Sequence, residues 1–207
     1  MIRRLPRRAP TAALGALLLT ALTGLGACSK DVNSVAEQAR AGDGKGYVAG
    51  DGTVEQLDRA KRGTPITLSG TTVEGGTWSM AADAAGQVVV VNAWGSWCPP
   101  CVQEQPQLQQ VWADLQTARK PVAFIGIDIL EGPETGAAFL RANHVTYPSL
   151  SNPASKGQPM LALQGKASAT PTTLVLDTRG RIAARVLGAT SAATLTAIVD
   201  DVLAEPA

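Results

Sequence analysis

Two cysteines in the stretch Trp97-Cys98-Pro99-Pro100-Cys101 follow closely on the apolar run Val88-Val89-Val90-Val91, and no other part of the chain constrains its fold as tightly. A run of β-branched residues closed by turn residues reads as a buried strand. Prolines are tolerated in the first turn of a helix, where the amide groups have no intrahelical partner. Strand, turn and helix start together place Cys98 at unpaired N–H groups and at the positive end of a helix dipole, with the turn exposing its sulfur. Such sites lower a thiol pKa from ~8.5 into the range ~3.5–7.5. Thiolate is the attacking species in disulfide exchange, so the pattern is a redox pattern.

Two other readings compete. Tetrahedral zinc needs four ligands, and the chain offers three cysteines and one histidine, His144, with Cys28 in what reads as a processing segment. No second ligand pair remains. A purely structural disulfide would close a very short loop, the case in which cross-linking stabilises least.

Three segments also match a known family in order and spacing. They are Val91-Asn92-Ala93-Trp94-Gly95-Ser96-Trp97-Cys98-Pro99-Pro100-Cys101, then Glu104-Gln105-Pro106, then Thr170-Pro171-Thr172-Thr173-Leu174-Val175-Leu176-Asp177. In these the chain resembles the thioredoxin superfamily, specifically its exported TlpA/ResA/DsbE-like branch of envelope thiol–disulfide oxidoreductases. The likeness covers roughly residues 64–207. It implies an α/β fold, a thioredoxin-like mixed sheet with helices on both faces, an N-terminal strand extension and an insert before the cis-proline strand.

The resemblance assigns roles. Cys98 is the nucleophile and Cys101 the resolving thiol. Glu104, three residues beyond Cys101 and on the same helical face, handles the proton that Cys101 must lose. A solvated glutamate complementing the helix dipole is the alternative. Asn92 stands where thioredoxin carries a buried acid and cannot titrate, which leaves Glu104 as the nearest carboxylate. Thr170 and Pro171 form the cis-proline loop, with the Thr170 backbone free to pair with an extended substrate; an ordinary trans proline at a strand entry is the alternative. Trp97 and Pro99 shape the substrate surface and Trp94 belongs to the core. Pro99 and Pro100 remove two amides that could have solvated the Cys98 thiolate, which favours a reductant. No cofactor beyond the Cys98–Cys101 pair and no metal is expected. His144 reads as solvated, Asp128 as a strand-end polar residue, and Met160 as part of an apolar helix that needs no function.

Residues 1–27 carry Arg3, Arg4, Arg7 and Arg8 and then the apolar stretch 12–25, a secretory signal pattern too short for a comfortable membrane span. Leu25-Gly26-Ala27-Cys28 resembles a lipobox, making Cys28 the lipidated residue on the outer face of a bacterial cell membrane; plain secretion or an uncleaved anchor are the alternatives. Without the four arginines of residues 1–27, 14 basic residues face 17 acidic ones, a net charge of −3 that gives no nucleic-acid footprint. No phosphate-binding glycine loop and no Ser/His/Asp set is present either.

Residues 28–63, rich in glycine, read as a tether, with a short ordered piece near Tyr47-Val48, and 64–207 as one domain. Strands are expected at 66–69, 77–80, 88–93, 122–127, 174–176 and 182–186, and helices at 98–118, 134–143, 154–163 and from Ser191 to about 204. Pro106 should kink the first of these helices.

The leading function is a membrane-tethered reductase of disulfides in exported proteins, apocytochrome c among them by resemblance, recharged by a membrane electron donor. An oxidase or isomerase running the chemistry in reverse is the second reading. A copper or haem-delivery module is the third, although its relatives use C-x-x-x-C with a histidine. Peroxiredoxins resemble the fold but use P-x-x-x-T-x-x-C, and Val91 and Gly95 stand at the matching positions here.

Overall fold

The computed structural model describes residues 52–154 and 157–206. The signal segment, Cys28 and the Tyr47-Val48 piece lie outside the described residues.

The four valines seed β4 (Val88–Trp94), every residue of which is buried, as is every residue of β5 (Val122–Ile129). The two run parallel, Val88 opposite Val122 through Trp94 opposite Asp128. A parallel pair needs a crossover, and helix α2 (Pro99–Thr117) supplies it, running on through Pro106. Helix α3 (Pro133–Ala142) makes the next crossover, to β6 (Ser149–Asn152), also parallel. On the other side β7 (Thr172–Leu176) pairs antiparallel with β4, and β8 (Ile182–Leu187) with β7. Strand β1 (Thr53–Gln56) closes that edge against β8, giving the six-stranded order β1-β8-β7-β4-β5-β6.

Alternation along β4 divides the core. Val88 and Val90 pack with Leu108, Val111 and Leu115 of α2 and with Leu195, Ile198 and Val199 of the C-terminal helix α5 (Ala192–Leu203). Val89 and Val91 face Leu68, Trp78, Leu163 and Leu174. This second face is covered by the two-stranded hairpin β2 (Ser69–Thr71) and β3 (Thr77–Ser79) and by two short helices, α1 (Met80–Asp83) and α4 (Gln158–Ala162). Helices therefore lie on both faces of a mixed sheet, as expected.

Several elements differ from the sequence reading, among them the helix expected at 154–163, which spans Gln158–Ala162. The hairpin pairs Ser69–Thr71 instead of 66–69, because Ile66 and Leu68 are anchored by burial while the pairing is set by the turn at Gly75, with φ +87°. Strand β6 was invisible because Ser149-Leu150-Ser151-Asn152 lacks strand-forming composition and is recruited by β5. The tether does not reach residue 63. Polar β1 is exposed yet held by the β8 ladder, and the Arg62 guanidinium, 3% exposed, is ion-paired to Asp177 at 3.0 Å and to Glu205. Glycine-rich composition concealed an edge strand whose stability comes from its partner.

Candidate active site

Strand β4 ends at Trp94, and the turn Gly95-Ser96-Trp97 delivers Cys98 to the N-cap of α2, with Pro99 and Pro100 in the first turn. The Cys98 N–H donates to the Gly95 carbonyl at 3.2 Å. Cys98 and Cys101 form a disulfide with a Cα–Cα separation of 5.3 Å. The amide that does reach the Cys98 sulfur is the N–H of Cys101, at 3.4 Å. The helix start thus keeps one donor for a Cys98 thiolate, the two prolines having none to give.

Cys98 is not exposed. Both cysteines are 0% accessible, in a cluster with Val73, Trp94, Ala137 and Leu140, against which Trp97 and Phe139 pack. The Thr170 carbonyl oxygen sits 3.8 Å from the Cys98 sulfur. A turn at a helix start exposes a side chain only if nothing else packs on it, and here the 169–171 loop, more than seventy residues away in sequence, does so.

The Thr170–Pro171 bond is cis. Thr170 is itself buried at 7%, with its carbonyl oxygen against the disulfide. Pro99 is exposed and Trp97 half-buried, its indole N–H donating to the Ile129 carbonyl at 3.0 Å. Trp94 is fully buried, 5.1 Å from the Phe139 ring, as a core residue should be.

Glu104 is 1% exposed, which removes the solvated reading. The Asn92 side-chain amide donates to one carboxyl oxygen at 2.8 Å and the Thr190 backbone N–H to the other at 3.0 Å. Asn92 also donates to Thr173 Oγ1 at 3.1 Å. Burial raises the Glu104 pKa to about 7, against the lowering pull of those two bonds. A carboxyl one helical turn beyond Cys101 that titrates near neutrality can take and return a proton. Thr190 is a site residue that the sequence did not reveal; it lies 86 residues from Glu104 and acts through its backbone, which leaves no residue signal. His144 is exposed, in the left-handed conformation (φ 55°) after α3, and far in sequence from the other site residues. Among the described residues no group of three or more His, Cys, Asp or Glu could hold a metal ion.

Residues 63–185 match the AhpC/TSA family model. The chain belongs to the AhpC/TSA family. Its relatives include the thiol:disulfide interchange protein HelX of Rhodobacter capsulatus, 29% identical over 58% of this chain and 62% of that one. Sporulation thiol-disulfide oxidoreductase A of Bacillus subtilis is 28% identical over 68% of this chain and 82% of its own. Among solved structures, a secreted thiol-disulfide isomerase of Corynebacterium glutamicum superposes with a TM-score of 0.68 at 30% identity, covering 75% of this chain and 95% of that one. The chain thus spans about three-fifths of HelX and nearly all of the corynebacterial protein. Within the AhpC/TSA family this site is of the dithiol kind, and the Trp97 indole packs so closely over Gly95 that a side chain there would displace the ring. No helix of the described residues is long and apolar enough to cross a membrane.

Proposed function

We propose that this protein is an extracytoplasmic thiol–disulfide oxidoreductase working as a reductase of exported proteins. The observation that carries the reading is the Cys98–Cys101 disulfide at the start of α2 with buried Glu104 one turn further on. In the dithiol form the Cys98 thiolate attacks a client disulfide; the client S–S bond breaks and one client sulfur leaves as thiolate. Cys101 then gives its proton to Glu104 and attacks the Cys98 sulfur of the mixed disulfide. That bond breaks, the second client thiolate departs, and Cys98–Cys101 is left oxidised by two electrons. A membrane dithiol donor must reverse this change in an oxidising compartment.

The direction is supported by Pro99 and Pro100, which leave the Cys98 thiolate a single nearby amide, that of Cys101. A poorly stabilised thiolate favours the disulfide state and so gives electrons away. Apocytochrome c before haem attachment is the client class we favour, by resemblance to the TlpA/ResA/DsbE-like branch. We assign membrane attachment to a lipid on Cys28. No cofactor beyond the disulfide is required.

The test is the reduction potential of the Cys98–Cys101 couple. A value near ~−270 mV, that of thioredoxin, supports the reductase; one near ~−120 mV overturns it in favour of an oxidase making disulfides in exported proteins.

A further inference from the structure

One buried acid takes no part in the steps above. Asp128 is the last residue but one of β5, opposite Trp94, and is 0% exposed. Neither of its carboxyl oxygens receives a hydrogen bond from any donor among the described residues. An ionised carboxylate placed so would be strongly disfavoured. Its pocket is tight and built for it: a Cβ on Gly136 of α3 would come within 2.0 Å of Asp128 Oδ2 and within 3.3 Å of Val73.

The titratable group that acts on Asp128, through side-chain hydrogen bonding and through charge, is Glu131. Glu131 is occupied in turn. One of its oxygens accepts the Ser96 N–H at 2.7 Å and the other accepts the Ser96 hydroxyl. Beside it the Trp97 indole donates to the Ile129 carbonyl. Residues 129–131 therefore grip the Gly95-Ser96-Trp97 turn at three points, and that turn fixes where Cys98 meets the start of α2.

Two carboxyl groups in contact cannot both be charged at little cost; one proton shared between them satisfies both. Glu131 has donors that stabilise its anion and Asp128 has none, which decides where the proton resides. We propose that Asp128 is a positioning residue: protonated at working pH, it donates to Glu131 and so closes the clasp that holds the Gly95-Ser96-Trp97 turn and, through it, Cys98.

Burial first, then Glu131, pushes the Asp128 pKa up to about 9. Other charged groups in the surrounding elements are few. Helix α3 carries Glu134 in its first turn and Arg141 in its last, and the β2–β3 loop carries Glu74, while β4, β6 and the Gly95-Ser96-Trp97 turn carry no charged side chain. Loss of the Asp128 proton sets two anions against each other and loosens the hold on Ser96. Cys98 then drifts from the Cys101 N–H that stabilises its thiolate.

The test begins with carbon-13 NMR of the carboxyl groups in the oxidised full chain, where Cys98 and Cys101 do not titrate. The expected result is an Asp128 carboxyl still protonated at about pH 8 and ionising near pH 9. In Asp128→Asn, whose amide donates at every pH, that step should vanish. An Asp128 already ionised at about pH 7, or a carboxyl step near pH 9 that survives in Asp128→Asn, overturns the proposal. The wild-type titration decides even if a variant fails to fold.

The second readout is the pH midpoint for alkylation of Cys98 in the reduced protein. It should rise by about one unit in Asp128→Ala and stay unmoved in Asp128→Asn. Equal shifts in both variants would reduce Asp128 to a packing role. The inference rests on Cys98 being the reactive sulfur. If wild-type alkylation falls on Cys101 instead, that reading fails, while the carboxyl titration still judges the clasp.

Discussion

Glu104 and Asp128 are both acids and both essentially out of water, yet they are set for different work. Glu104 is met by two N–H donors, from Asn92 and Thr190, and its pKa comes to about 7. Asp128 meets no N–H or O–H donor among the described residues, is acted on by the Glu131 carboxyl, and rises to about 9. A third acid completes the series. Burial also pushes Asp177 up, but the Arg181 N–H and side chain, the Arg62 guanidinium and the Arg179 N–H hold it below its ordinary 3.8. Burial alone therefore does not set ionisation; the number and charge of the donors do. An acid with neutral donors moves a proton near neutrality, one with none keeps it, and one with cationic donors loses it.

The comparison breaks most visibly at Glu104. Glu104→Gln should slow resolution of the mixed disulfide by about 100-fold at neutral pH and above and erase its pH dependence near 7, measured by rapid-mix acid quench. A rate within twofold of wild type would mean that water deprotonates Cys101. The same variant carries a stability signature. The native pKa of Glu104 lies above its ordinary 4.5, so the native state holds the proton more tightly and wild-type stability falls as pH rises from 4.5 towards 7. Glu104→Gln should flatten that part of the stability curve.

Asn92→Asp sharpens the contrast by giving Glu104 a neighbour like the one Asp128 has. Replacing a donor by a second acid should raise the apparent midpoint of the resolving step by about one unit, a tenfold loss of rate at a pH well below both midpoints. An unchanged profile would show that Thr190 alone fixes Glu104.

The smallest effect is expected at Asp177, far from the sulfur chemistry. Its native pKa is lowered, so its contribution is present above the unfolded value and is lost as pH falls through the native one. Asp177→Asn should cost about 1 kcal/mol at neutral pH in denaturant titrations and converge with wild type in acid. A deficit that persists undiminished at low pH would assign the loss to packing instead.

The sequence carried the strand–turn–helix frame because its signals are local. Four successive valines, a cysteine at a helix cap and prolines in the first turn each act within a few residues. Glu104 was readable for a similar reason: its spacing from Cys101 is fixed by the helix repeat. Asp128 was legible only as a polar residue closing an apolar run, since nothing near it in sequence says that Gly136 would cradle it or that Glu131 would face it. Strand β1 escaped because an exposed edge strand owes its order to the ladder beside it.

By itself, then, the sequence determined the dithiol, the helix that carries it, the central strands and the acid on its buried face. Periodicity and covalent spacing specify these without knowledge of what packs where. Tertiary structure alone decided that Cys98 lies under the Thr170 carbonyl, that Glu104 is bonded by Thr190, and that Asp128 faces Glu131. Accessibility and ionisation depend on which groups exclude water and which supply donors, and those groups arrive from parts of the chain that only the fold brings together.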